Sequence, residues 1–84
     1  MTMSAKMFYA RFKALQKYVK TAPDAPLALS EAAAQVGAAL KACYTAEAFK
    51  LALEEDVEIE SDIEERLTSA TILMNQHRAK QGAG

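Results

Sequence analysis

Apolar side chains recur every three or four residues through the first twenty positions of the chain. The members of this series fall on one stripe of an α-helix, because 3.6 residues complete a turn: they are Phe8, Phe12, Leu15 and Val19. The opposite side of the same helix is basic and carries Lys6, Lys13, Lys17 and Lys20. The pattern predicts a first helix over about residues 4–20.

Two apolar stripes, displaced around the helix axis, follow the prolines at positions 23 and 26. The first consists of Val36, Leu40 and Cys43, and the second of Ala46, Phe49 and Leu53. Ser30 is a good N-cap residue, since its side chain can accept from a free backbone N–H. We therefore expect one helix over about 30–53 that touches two neighbours. A break at Thr45, which is also a possible N-cap, is the alternative.

The third helix has a clear beginning. Ser61 and Glu64 have the spacing of a capping box, in which each side chain satisfies the other's backbone N–H. An apolar stripe follows it: Ile63, Leu67, Ala70 and Met74. This predicts a helix over about 61–80 and a frayed tail over 81–84. Residues 54–60 alternate acidic and apolar at their end, but one short strand has no evident partner, so a turn or a frayed helical joint is expected over 54–60.

These elements predict one all-α domain over residues 1–84, organised as a small three-helix bundle. The alternative is a helical hairpin that completes its core by dimerising. No apolar run is long enough to span a membrane, and no secretion signal is recognisable. Cys43 is the single cysteine, which excludes a disulfide within the chain and suits a reducing, cytoplasmic setting. We expect its side chain to be buried.

Charge is segregated along the chain although the formal net charge is only −1. Basic residues without any acid occupy 1–20, whereas acidic residues without any base occupy 54–65. The acidic run does not fit a calcium-binding EF-hand loop, because that loop needs glycine and glutamate where this chain has Ser61 and Leu67. A solvated face is the simplest interpretation, and a docking surface for a basic partner is the functional one.

The expected function is that of a small non-enzymatic interaction protein, such as an adaptor, a binding inhibitor or a co-chaperone, acting in a homo-oligomer or a hetero-complex. The apolar residues expected to contact a partner are Met7, Tyr9, Tyr18 and Ile72. The acidic residues expected to steer it are Glu54, Glu55, Asp56, Glu58 and Glu60. No catalytic, cofactor or metal site is expected, and the single histidine, His77, is expected on the surface.

Nucleic-acid binding by the lysine-rich face of the first helix is the alternative function. Lysines can contact phosphates and aromatic rings can stack on bases. In the predicted helix, however, Phe8 and Phe12 lie opposite the lysines, and the domain is acidic overall.

Residues 46–56 resemble the second helix of a tetratricopeptide repeat, which often closes in an Ala-Leu-Glu-x-Asp-Pro pattern. Thr45 and Val57 depart from it, since the repeat has a small residue and a proline at those positions. No second copy occurs in the chain, so the resemblance does not predict a repeat protein.

Overall fold

The computed structural model describes residues 3–22 and 24–83, and the regular structure in these ranges is helical. Four helices follow one another: α1 (Ala5–Thr21), α2 (Leu27–Cys43), α3 (Ala46–Glu55) and α4 (Ser61–Ala83). Helices α1, α2 and α4 contact one another, and α3 packs against α1. The all-α prediction is confirmed, but the described part of the chain has four helices instead of three.

The additional helix arises from a break between the two apolar stripes of the expected second helix. Tyr44 and Thr45 are both extended, with ψ angles of 136° and 165°. The Thr45 hydroxyl accepts a hydrogen bond from the backbone N–H of Ala48 at 3.0 Å and so caps α3. A continuous helix over 30–53 is therefore wrong, and the alternative break at Thr45 is right.

Helix α2 begins three residues earlier than expected. Pro26 precedes it in extended conformation, and its carbonyl oxygen accepts from the backbone N–H of Leu29 at 3.0 Å. Leu29 is fully buried inside the helix, so Ser30 as N-cap is wrong. Proline suits a helix start because it has no N–H to leave unsatisfied there. The other proline of the linker, Pro23, lies outside the described residues.

Residues 57–59 form an extended strap against the segment that precedes α1. The Ala5 N–H donates to the Val57 carbonyl oxygen at 2.7 Å, and the Ile59 N–H donates to the Met3 carbonyl oxygen at 2.9 Å. An isolated antiparallel bridge between Ser4 and Glu58 results. The expected turn or frayed joint is therefore wrong for residues 57–59. Their pairing partner lies more than fifty residues away in sequence, so the local pattern does not indicate it.

Helix α4 begins at Ser61 as predicted, but its cap and its end differ from the prediction. The Glu64 N–H donates to the Glu60 carbonyl oxygen at 3.1 Å, so the N-cap position belongs to Glu60, one residue before the predicted cap. The helix continues to Ala83, so the frayed tail is wrong over 81–83, while Gly84 lies outside the described residues.

The core confirms the apolar stripes of the first and last helices. Buried members of these stripes are Phe8, Phe12, Leu15, Ile63, Leu67, Ala70 and Met74. Val19 is only half-buried, and Cys43 is exposed. The expectation of a buried thiol is wrong, because in the last turn of α2 it is Leu40 that packs against the core, while Cys43, the final residue of the helix, is exposed.

Candidate docking groove

An open groove of about 740 Å³ runs between α1 and α2. Residues from both helices line it: Phe12, Lys13, Ala14, Gln16, Lys17, Val19, Lys20, Ala33, Ala34 and Gly37. The charged members of this lining are all lysines, and they stand on α1. We call this surface the basic groove.

Small residues of α2 keep the floor of the basic groove shallow. Ala33, Ala34 and Gly37 form its α2 side. The ring of Phe12 lies beneath, since a Cβ atom built on Gly37 would be 3.5 Å from Phe12 Cζ. With side chains this short, the backbone of a third helix can approach α2 closely.

Helix α3 packs on α1 next to one end of the basic groove. The Phe49 ring packs edge-on against Phe8 and Tyr9, with ring centroids 6.1 and 5.8 Å apart. Lys13 Nζ lies 5.6 Å from the centroid of the Tyr9 ring, within the range of a cation–π contact. The aromatic cluster beneath α3 therefore adjoins the first lysine of the groove, so α3 and the groove share one side of the α1–α2 pair.

The lysine rim matches the spacing of a helical surface. Lys13, Lys17 and Lys20 are exposed and separated by four and three residues, so they form one row on α1. A row of three cations beside an apolar floor is complementary to a surface with one apolar stripe and one acidic edge.

The acidic residues predicted to steer a partner are all exposed, but they do not form one free patch. Glu54 and Glu55 end α3, Glu58 belongs to the strap, and Glu60 precedes α4. Asp56 caps the start of α1, because its Oδ1 accepts from the backbone N–H of Lys6 at 3.1 Å.

The four predicted apolar contact residues are separated in the structure. Tyr9 belongs to the cluster under α3, while Ile72 lines a small cavity of about 100 Å³ between α4 and Arg11 of α1. Tyr18 is half-buried at the far end of α1, beside α4. Met7 is 48% exposed on α1, two residues from Tyr9 and therefore on a different side of the helix. They do not make a common docking surface.

His77 is half-buried and not a free surface residue. Its Nδ1 lies 2.6 Å from the Tyr18 hydroxyl, and its Nε2 lies 3.2 Å from the carbonyl oxygen of Asp24. A carbonyl oxygen only accepts, so the contact with Asp24 requires the tautomer with its proton on Nε2, and in that tautomer Nδ1 accepts from Tyr18. His77 thus joins the ends of α1 and α4 to the α1–α2 connection.

The sequence patterns did not indicate the basic groove as a site. The lysine row lies on α1 and the small residues Ala33 and Gly37 lie on α2, and the periodicity of one helix does not show which face of another helix it meets. The helical periodicity of α1 predicts Phe12 on the side opposite the lysines. In the structure its ring lies between α1 and α2 and forms the floor of the basic groove.

Comparisons with known proteins identify no relative: no protein-family model matches the chain, and no curated protein or solved structure matches it significantly. Within the described ranges, none of the helices is both long and apolar enough to cross a membrane.

Proposed function

We propose that this chain is a small, non-enzymatic protein-interaction module whose basic groove binds an acidic amphipathic helix. The observation that supports it is the composition of the groove: an apolar floor, a shallow α2 side and one row of lysines. In finer detail, we interpret the fold as a bundle of α1, α2 and α4 with α3 appended. The exposed, unpaired thiol of Cys43 suits a reducing compartment, and we propose the cytoplasm.

A helix fits this groove better than an extended segment. From Lys13 to Lys20 the rim spans about 10 Å, or two helical turns. An incoming helix with acids at positions i, i+4 and i+7 would present them at the same intervals, while its apolar stripe covers Phe12, Val19 and the α2 side. The lysines then set the direction of the partner and accelerate its encounter.

Nucleic acid is a weaker candidate for the same surface. Phe12 is only 6% exposed, so it cannot stack on a base. Phosphate contacts would come from the single row of lysines on α1, and the formal net charge of the chain is −1.

Fluorescence anisotropy with designed peptides tests the proposal. The probe is a helix about four turns long, with a Leu/Ala stripe and glutamates at i, i+4 and i+7. Its matched control carries lysines in place of those glutamates. We expect the acidic peptide alone to bind, more weakly as salt is added. The double substitution Lys13→Glu, Lys17→Glu should weaken binding by about tenfold or more.

A second pair of exposed lysines controls for net charge. Lys50 and Lys80 lie on α3 and α4, outside the groove lining, and Lys50→Glu, Lys80→Glu makes the same change in charge. This variant should keep most of the affinity. Equal binding of both peptides would refute the proposal, as would lysine-dependent binding of a single-stranded oligonucleotide in place of the acidic peptide.

A further inference from the structure

The outward face of α3 combines an exposed apolar side chain with acidic neighbours. Leu51 is 53% exposed at its centre, although α3 packs on α1 through Phe49 on the other side. Three exposed acids surround Leu51 at i−4, i+3 and i+4: Glu47, Glu54 and Glu55. This face, which we call the acidic ridge, therefore has an apolar centre and acidic edges.

The acidic ridge cannot enter the groove of its own chain. Only Tyr44 and Thr45 separate the end of α2 at Cys43 from the start of α3 at Ala46. The Phe49 ring is fixed among Phe8, Tyr9 and Tyr44. The ridge therefore stands at one end of the basic groove and turns its acidic face away from it.

From this arrangement we infer that the basic groove receives the acidic ridge of a second copy of the chain. The inference rests on the proposed function of the groove. Ridge and groove lie side by side on one face of the α1–α2 pair. A two-fold axis that lies in the plane of this face, midway between ridge and groove and at right angles to the line that joins them, puts each ridge over the other chain's open groove. Both contacts form at once, and the assembly closes as a dimer.

The charges of the two surfaces are complementary. The ridge has three acids around Leu51, and the groove has Lys13, Lys17 and Lys20 beside its apolar floor. Each dimer contains this contact twice, so every favourable pair counts double. The basic run over residues 1–20 supplies the three lysines of the groove, and the acidic run over residues 54–65 supplies two of the three ridge acids, Glu54 and Glu55.

Charge reversal in two separate variants tests the inference. Variant A is Lys13→Glu, Lys17→Glu, and variant B is Glu54→Lys, Glu55→Lys. We expect the native chain to sediment at twice its mass of 9.1 kDa. Each variant alone should be monomeric, because like charges then face each other in both contacts. An equimolar mixture should restore the dimer, since every contact in an A–B pair again joins opposite charges.

The charge reversals in variant B should impair assembly without impairing folding. Glu54 and Glu55 end α3, where lysines interact favourably with the helix dipole. As a control, Glu60→Lys, Glu65→Lys makes the same change in charge away from the ridge, because Glu65 faces the α2–α4 side. That control should remain dimeric, and all variants should keep the helical circular dichroism signal.

Three results would overturn the inference: a monomeric native chain, a dimer that survives in variant A or B, or a mixture that stays monomeric. If the native chain is a monomer that still binds the designed acidic peptide, the dimer is refuted and the proposed function of the groove stands. Loss of both dimer and peptide binding would refute the groove's proposed function as well.

Discussion

The carboxylate of Asp56 caps a helix that begins fifty residues earlier, with 3.1 Å between its Oδ1 and the backbone nitrogen of Lys6. The hydroxyl of Ser4 accepts from the next N–H, that of Met7, at 3.3 Å. Three of the free N–H groups of α1 are therefore satisfied: one locally by Ser4, one by Asp56 and one, that of Ala5, by the Val57 carbonyl oxygen. Asp56 itself has a φ of 51°, in the left-handed region.

Asp56→Ala should lower the free energy of unfolding by about 1 kcal/mol through the lost cap, and further because alanine disfavours left-handed backbone. Asp56→Gly loses the cap but accommodates the backbone, so its stability should lie between those of alanine and the native residue. Urea denaturation followed by circular dichroism measures the three. Glu55→Ala is the control and should change little. If the Asp56→Ala variant were as stable to urea as the native chain, Asp56 would not cap α1.

The hydroxyl of Tyr18 should contribute about 1 kcal/mol through its 2.6 Å contact with His77. Tyr18→Phe retains the ring beneath Arg78, whose Cζ lies 5.9 Å from the ring centroid, and removes only the hydrogen bond. Amide exchange in the last turns of α4 should quicken, because His77 fixes that end. Tyr9→Phe serves as the matched control. Unchanged exchange beyond His77 would disprove this tether.

Gly37→Ala should raise the free energy of unfolding by about 0.5–1 kcal/mol, the difference in helix propensity between the two residues. The added Cβ would meet Phe12 Cζ at 3.5 Å, an ordinary contact. Gly37→Leu should instead fill the basic groove and abolish binding of the designed acidic peptide. Thermal unfolding and peptide anisotropy separate the two effects. Strong peptide binding by Gly37→Leu would place the peptide elsewhere.

Thr45→Ala should destabilise α3 by about 1 kcal/mol, because the bond from the Ala48 N–H is lost. The loss is local, so amide exchange in α3 should rise more than in α4. Thr45→Ser keeps the hydroxyl and should restore protection. If the dimer forms as inferred, Thr45→Ala should also weaken it, since α3 carries the acidic ridge. Equal protection in all three chains would argue against the cap.

The sequence was sufficient where a structural feature depends on local spacing. The stripes through Phe8 and Leu15 and through Ile63 and Leu67 are long, periodic and buried as expected. The break at Thr45 was visible only as an alternative, because helical periodicity on both sides of it is equally good.

The remaining features depend on pairs that are distant in sequence. Tyr18 and His77 are 59 residues apart, and nothing in either local pattern indicates the other. The strap needed the segment before α1 as a partner for Val57 and Ile59. The basic groove is defined by what α3 and α4 leave uncovered, and that depends on how the helices cross.

Because the chain is synthesised from its N-terminus, the start of α1 is capped only after the strap has been made. While a ribosome makes the chain, α1 and α2 emerge before Asp56 and residues 57–59 can cap and pair with the start of α1. The apolar side shared by α1 and α2 also stays exposed until Ile63 and Leu67 of α4 have been synthesised. The core is therefore completed only after α4, the longest of the described helices, has left the exit tunnel. Until then, the nascent α1–α2 hairpin presents apolar surface that a chaperone can bind.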